Sequence, residues 1–447
     1  MIFNPTRSSS VCTVAWTLAL LAPSWVPPSA RAEPAPLTLP GAMRLLQERS
    51  PELERAKLNV DSAELAASNA RSAFLPSLDI STTQKAGSPT ALSNWSLTAT
   101  ETLWNNGRSW LALKGANLNM EATAAATLEK RESLAAETAS RWFEHSRLQA
   151  LLGIQEEKAS LIEKQFSVMK QQFEQGLKTR EDFQRIRAQL LRTQAELIST
   201  RTQRDQVQVQ LLAPLGVGAS EAGNFRLQPT IPPPAPTQGW RALLEAGAVD
   251  LTNNPTLTRI RAEQEASELD PRQARFDYWP NLDIVGTAGQ SGNGPLDGAL
   301  GATAATPGFQ WSAGLSLSWN LWDWGVLRRK ITQADIERDR TVADLKRQRL
   351  ELESQARQIV LDLRRLNEEA LLQAEVAQME EDNFRLVEDN YRRGRTGYLD
   401  LITALRDRAD ARARWQTAYF SAIRTHVQRL QLEGKAHGWL LSFEKNP

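Results

Sequence analysis

The chain has 447 residues, with 53 Lys+Arg set against 52 Asp+Glu. That balance argues against a nucleic-acid-binding surface, which needs a basic excess. One cysteine, Cys12, excludes an intrachain disulfide, and three scattered histidines, His145, His426 and His437, argue against a metal centre. No glycine-rich phosphate loop ending in Lys-Ser or Lys-Thr is present, and no nucleophile elbow. The expectation is a protein that is not an enzyme, with no catalytic residues, no metal and no cofactor.

The N-terminus reads as an export signal. Arg7 precedes an apolar stretch from Val11 to Ala22, a Pro-containing segment from Pro23 to Pro28, and then Ala30-Arg31-Ala32. This order predicts a signal peptide over residues 1–32, cleaved after Ala32. Cys12 lies inside the apolar stretch and would leave with it. Beyond the signal no apolar run reaches about 18 residues, so no transmembrane helix is expected.

The remainder is a duplication. Ser50-Pro51-Glu52-Leu53-Glu54-Arg55 matches Asn254-Pro255-Thr256-Leu257-Thr258-Arg259 at an offset of 204, and Phe74-Leu75-Pro76-Ser77-Leu78-Asp79-Ile80 matches Tyr278-Trp279-Pro280-Asn281-Leu282-Asp283-Ile284 at the same offset. From Leu103-Trp104-Asn105-Asn106-Gly107 onward the partner segment, Leu321-Trp322-Asp323-Trp324-Gly325, lies at an offset of 218. The difference is a single 14-residue insertion in the Gly/Ala/Pro-rich stretch from Ser291 to Gly308.

Each copy predicts helix, strand pair, very long helix, turn and returning helix. Helix formers run from Leu39 to Ala73 and from Thr237 to Arg275. Pro76 and Pro280 then stop the helix and begin extended chain. Leu78 and Ile80 alternate with Asp79 and Ser81, and Trp311, Leu315 and Leu317 alternate with Ser312, Ser316 and Ser318. Period two with one apolar and one small-polar face is that of a half-buried strand, as in a soluble β-hairpin, and also the lipid-out, lumen-in pattern of a transmembrane β-barrel. Trp104, Trp319, Trp322 and Trp324 close the strands as membrane-interface aromatics would. Four strands are too few to close a membrane barrel, so this reading requires several copies of the chain.

Gly107 and Gly176 lie 69 residues apart, as do Gly325 and Gly394, with no proline between either pair. A helix of that length reaches roughly 100 Å. The returning helices, from about Arg180 to Leu212 and from about Leu399 to His437, are about half as long. Stacked on the helices that precede the strands, they complete a four-helix strip, and three strips could close into a tube. The Pro-rich segment 213–236 reads as an irregular linker at mid-height rather than a strand.

These residues carry a resemblance to the TolC-like outer-membrane efflux and secretion channels. Its most specific part is Tyr391 to Ala404, with Gly394, Gly397 and Asp400; Phe173 to Asp182, with Gly176, is a weaker copy. The resemblance covers nearly the whole mature chain. It implies an α+β membrane protein in which three chains share a twelve-stranded outer-membrane β-barrel and a long α-helical coiled-coil tunnel. It also implies an equatorial region, here 213–236 with the C-terminal segment 434–447, flanked by a first repeat over 33–212 and a second over 237–433. The implied partners are two further copies of the chain in a homotrimer, outer membrane lipid, a periplasmic adaptor (membrane fusion) protein, and an inner-membrane pump that is either an ABC transporter or proton-driven. Most of the mass would lie in the periplasm.

The resemblance also assigns residues. Gly176, Asp182, Gly394 and Gly397 fall in the adaptor-contact tips. Asp400 falls where such channels carry an inward-facing acid at the periplasmic constriction. Thr403 stands where a second acid is familiar, followed by Arg406 and Asp407. With Arg395, these make up the expected gate. The residues alone leave open a different class, a periplasmic coiled-coil adaptor or scaffold without a pore.

Overall fold

A computed structural model describes residues 35–85, 92–218, 221, 225–230, 247–290 and 309–443. The expected signal peptide, the insertion at 291–308 and the triple-proline part of the linker lie outside these residues.

The chain opens with strand β1 (Ala35–Leu37) and helix α1 (Leu39–Arg49), whose N-cap Thr38 accepts a hydrogen bond from the Gly41 amide at 3.3 Å. A second helix, α2 (Pro51–Ser72), follows. The single helix expected from Leu39 to Ala73 is therefore two. Pro51 clashes with a helical predecessor, so Ser50 is extended (φ −67°, ψ 118°) and the axis breaks there. The second copy repeats the device. Asn254 is extended, its carboxamide oxygen caps Leu257 N at 3.0 Å, and Pro255 opens helix α5 (Pro255–Ser267). Of the helix expected from Thr237 to Arg275, residues 237–246 lie outside the described residues; residues 247–254 are not helical, α5 starts at Pro255, and α6 (Leu269–Phe276) completes it.

Strands β2 (Ser77–Lys85) and β3 (Leu92–Trp104) lead into α3 (Arg108–Glu174), a helix of 67 residues, and its returning partner α4 (Arg180–Leu212). Strand β4 (Phe225–Leu227) lies inside the stretch expected to be irregular, and pairs in parallel with β1. This corrects the linker reading: three residues are too few to show a period, and the ladder joins segments 190 residues apart (Ala35 with Phe225). The second copy supplies β5 (Asn281–Gln290), β6 (Phe309–Ser318), α7 (Val326–Arg392, again 67 residues), α8 (Tyr398–Leu432) and the short α9 (Ala436–Leu441). The returning helix expected to reach His437 ends at Leu432. Gly434, at φ +69°, turns the chain where a Cβ would lie 2.9 Å from the Asn253 carbonyl.

Helix α3 is the spine. It packs on α2 and α4 along one side and on α5, α6 and α8 along the other, while α7 packs on α6 and α8. The result is a strip with α2 and α4 at one edge and α7 at the other. The main core sits at mid-height, where α1, α3, α8, α9 and the β1–β4 ladder converge around Trp142, Phe143, Leu212, Trp415 and Phe420. A smaller core near the far end joins Ile162, Met169, Ile186, Phe384, Leu401 and Leu405.

Both edges of the strip leave apolar stripes uncovered. On α7, Ile336, Leu350, Leu361, Leu372, Met379 and Leu386 are all exposed. Their spacings of 14, 11, 11, 7 and 7 place them on one face of the helix. On the opposite edge, Leu58 and Leu65 of α2 and Leu191 and Ile198 of α4 are exposed at heptad spacing.

The mid-height core holds two neutral histidines. Burial, reinforced by Arg204 near His145 and Arg429 near His426, pushes both down to about 4. A folded pKa below the unfolded value of about 6.5 gives stability that is complete above pH 6.5 and lost as pH falls towards 4. The melting temperature of the purified protein should therefore drop between pH 7 and pH 4.5. Replacing both histidines with glutamine should flatten that part of the pH profile.

Candidate functional site

The four longer strands form one antiparallel sheet in the order β2-β3-β5-β6. Its register sorts the residues cleanly. Leu78 faces Ala99, Ile80 faces Leu97, Ile284 faces Leu315, and Leu282 faces Leu317, so the apolar residues share one side. That side is uncovered, with Leu78 at 70% and Ile80 at 76% exposure. The other side carries Ser77, Ser81, Ser96, Thr98, Thr287 and Ser312, with hydroxyl pairs between Ser81 and Ser96 (2.8 Å) and between Thr287 and Ser312 (2.7 Å). An apolar exposed face backed by a hydroxyl-rich face is the wall of a membrane barrel with a wet interior. The edge strands β2 and β6 leave backbone donors and acceptors free to pair with further strands.

The strand-to-helix turns are built alike in both copies. Asn106 (φ 59°) and Gly107 (φ 86°) match Trp324 (φ 55°) and Gly325 (φ 77°), all left-handed. The turn residues Asn105 and Asp323 cap the helices that follow, accepting from Ser109 N at 3.4 Å and from Leu327 N at 2.7 Å. Asparagine tolerates a positive φ; tryptophan is strained there. Trp324 is 81% exposed and meets Trp322 edge to face at 5.8 Å. Trp104, Trp319, Trp322 and Trp324 thus gather at the helix end of the sheet. Just below them Asp277 is held by Arg108 (2.8 Å) and Lys330 (2.6 Å), which ties α3 and α7 together under the strands.

At the opposite end lie the two helix tips. Gly176 (φ +75°) and Gly394 (φ +71°) close α3 and α7 with the same motif: Leu177 N donates to Gln172 O and Arg395 N donates to Asn390 O, both at 2.8 Å. A Cβ at either glycine would meet nothing within 4 Å, so φ alone requires glycine. Thr179 caps α4 by accepting from Asp182 N at 3.1 Å. Gly397 lacks a side chain to do the same. There the Asp400 carboxylate reaches back to the Gly397 amide at 3.1 Å. Asp400 thereby starts α8 while staying exposed.

Of the expected gate residues, the structure joins few directly. Thr403 donates to Leu399 O at 2.9 Å, and Arg406 lies 3.8 Å from Asp410 rather than on Asp400. Asp400, Thr403 and Asp407 lie along one side of α8 by helical spacing, and Arg395 sits in the tip turn itself.

Sequence reasoning missed a buried ion network just above this tip. Arg408, 7% exposed, donates to Glu381 of α7 at 2.8 Å and to Glu157 of α3 at 2.6 Å. Arg412 adds bonds to Glu157 at 2.9 Å and Glu381 at 2.7 Å, and the Arg408 guanidinium lies 4.5 Å over the Phe384 ring. In the first copy the matching position is Leu190, which borders the apolar tip cluster beside Phe166, the counterpart of Phe384. The network therefore pins α8 to α3 only in the second copy. No sequence signal marks it, because its partners lie 27 and 251 residues away.

Two outcomes follow at this end. Arg408→Leu should destabilise the packing of α8 by about 2 kcal/mol, since it removes two charge-assisted hydrogen bonds and leaves Arg412 as the α8 partner of Glu157 and Glu381; hydrogen exchange of α8 amides would show it. Gly394→Ala should cost about 1 kcal/mol locally, read as faster exchange at Arg395.

Three comparisons bear on what this arrangement is. The family model for outer membrane efflux proteins matches residues 42–217 and 250–430. No curated protein sequence matches the chain. Among solved structures, the fold is similar to VceC from the bacterial pathogen Vibrio cholerae, with a TM-score of 0.73 at 17% identity over 89% of this chain and 96% of that one. It is similar to the CmeC outer membrane channel of Campylobacter jejuni, with a TM-score of 0.73 at 14% identity over 89% and 86% of the two chains. It also resembles the open state of the MtrE outer membrane channel of Neisseria gonorrhoeae, with a TM-score of 0.68 at 17% identity over 90% and 88%.

Proposed function

The chain belongs to the outer membrane efflux protein family, and from that premise we propose that three copies form the passive exit duct of a tripartite export system. The observation that carries this reading is the four-stranded sheet with an exposed apolar face that runs directly into two 67-residue helices. Three such sheets supply twelve strands, enough to remove every open edge. The uncovered stripes support closure by further copies. The α7 stripe of one copy and the α2–α4 stripe of the next lie on opposite edges, so their contact is head-to-tail and closes as a ring.

Solutes would leave through a helical tunnel into the barrel. The protein supplies no chemistry, and energy would come from an inner-membrane pump reached through a periplasmic adaptor at the tips around Gly176, Asp182, Gly394 and Gly397. That pump would be an ABC transporter or a proton-driven one, and the duct would serve efflux or type I secretion. Trp104, Trp319, Trp322 and Trp324 would mark the periplasmic membrane interface. Asp400 would project three carboxylates into the constriction, one per subunit, with Thr403 and Asp407 above it. Arg395 and Arg406 would be their cross-subunit partners. Opening is then an outward tilt of α8 near its start, which the Arg408 network resists by holding α8 to the spine helix.

In this reading the repeats are 33–212 and 237–433, separated by the equatorial segment 213–236. A pore-less scaffold shares the long helices but leaves the exposed apolar sheet without a purpose.

Conductance of the purified mature protein in a planar bilayer tests this function. Discrete cation-selective steps are expected, altered in Asp400→Ala. Unaltered steps would keep the channel and remove Asp400 from its constriction. The Arg408→Leu protein should show a higher open probability; identical gating would mean the network has no part in closure.

A further inference from the structure

The register of the sheet places one acid of each copy on its polar side. Asp79 is the third residue of β2 and faces Thr98. Asp283 is the third residue of β5 and faces Thr102 on one side and Ser316 on the other. The two are repeat partners, in Ser77-Leu78-Asp79-Ile80 and Asn281-Leu282-Asp283-Ile284. They therefore stand at equivalent heights in the two hairpins, about 7 Å into the strands from the helix end. Their cross-strand neighbours are hydroxyls and offer no positive charge. The nearest cations below are already engaged: Arg108 and Lys330 with Asp277, and Arg329 with the Trp324 carbonyl at 3.2 Å. Arg328 on the first turn of α7 and Arg71 in the last turn of α2 are exposed cations at this rim, on the helices rather than within the sheet.

We propose that Asp79 and Asp283 form a single lumenal ring of carboxylates that makes the barrel itself selective for cationic solutes. The proposal rests on the trimeric duct described above, in which duplication and threefold symmetry together place six carboxylates at one level. The scale decides whether such a ring matters. Strands about 4.8 Å apart and tilted about 40° give a twelve-strand barrel a radius of about 12 Å, less its inward side chains. The screening length is about 8–10 Å at 0.1–0.15 M salt and about 3 Å at 1 M. The field of the ring therefore reaches the axis at physiological salt and collapses onto the wall at high salt. This selectivity element lies at the far end of the molecule from Asp400 and is independent of the tip.

The test does not need an open tip. Ser316, exposed and opposite Asp283, becomes the reporter as Ser316→Cys in a Cys12-free mature chain. Its modification rate is measured with a cationic and an anionic methanethiosulfonate reagent, with and without Asp79→Asn and Asp283→Asn. At 0.1 M salt the cationic-to-anionic rate ratio should fall by about tenfold when both acids are neutralised, and the gap should close at 1 M. An equal ratio in both backgrounds at 0.1 M would overturn the ring while leaving the duct intact. A thiol unreactive towards both reagents would mean that the polar face is not in water, and the duct reading would fall with the ring. In planar bilayers the same double substitution should lower cation-over-anion permeability at 0.1 M. An unchanged reversal potential there would count against the ring.

Discussion

The constraint on which the rest depends is that a β-sheet in lipid must have no free edge. Every backbone amide and carbonyl at membrane depth needs a partner, because hydrocarbon offers none. One chain supplies four strands, an exposed apolar face and two unpaired edges, and so is incomplete by itself. In the proposed trimer, other copies of the chain pair with β2 and β6. The head-to-tail stripes on α7 and on α2–α4 obey the same demand in water, where leucines in a row need covering just as strand edges do in lipid. One closure operation satisfies both, which is why the sheet and the helices take the same order around the strip.

Duplication makes the closure economical and then gives it direction. Two near-identical units per chain allow three chains to behave almost as six equal ones, and the strand-to-helix turns, the tip glycines and the proline-opened helices are shared between units. The departures carry the specialisation. Leu190 becomes Arg408, so an apolar contact in the first unit is a buried ion network in the second. Asn106 becomes Trp324, exchanging a comfortable left-handed residue for a strained one that is held out into the surroundings. Thr179 becomes Gly397, so the helix start passes from a hydroxyl cap to the Asp400 carboxylate. A helix start held by an exposed carboxylate is poised to change whenever a cation competes with the Gly397 amide for that carboxylate.

Periodic features were legible in the sequence and local accidents were not. The long helices announced themselves through uninterrupted spans between Gly107 and Gly176 and between Gly325 and Gly394. The strands were legible because one face of β6 is apolar at every second residue. The axis break at Ser50 was signalled by Pro51, and Pro255 in the same way opens α5 after the extended Asn254. The β1–β4 ladder escaped because Ala35–Leu37 and Phe225–Leu227 are too short for a period to register, and pairing across such a separation has no local signature. Arg408 escaped for a related reason. On its own helix it is one arginine among many, and only the approach of Glu157 and Glu381 from other helices distinguishes it from its solvated neighbours.

The positions of the charges order the duct along its length. At the tips, Asp400 binds its own helix start, and the Arg408 network above it spends two carboxylates and two guanidinium groups on holding three helices together. At the junction, Asp277 is shared between Arg108 and Lys330, so its charge also serves structure. Within the sheet, Asp79 and Asp283 have hydroxyl neighbours only. At these helix contacts carboxylates tie helices together, whereas Asp79 and Asp283 lie on a hydrogen-bonded sheet with no charged cross-strand partner. The backbone ladder makes that division possible: it holds the barrel without any side-chain charge, and so the two acids in its lumen remain available to act on what passes.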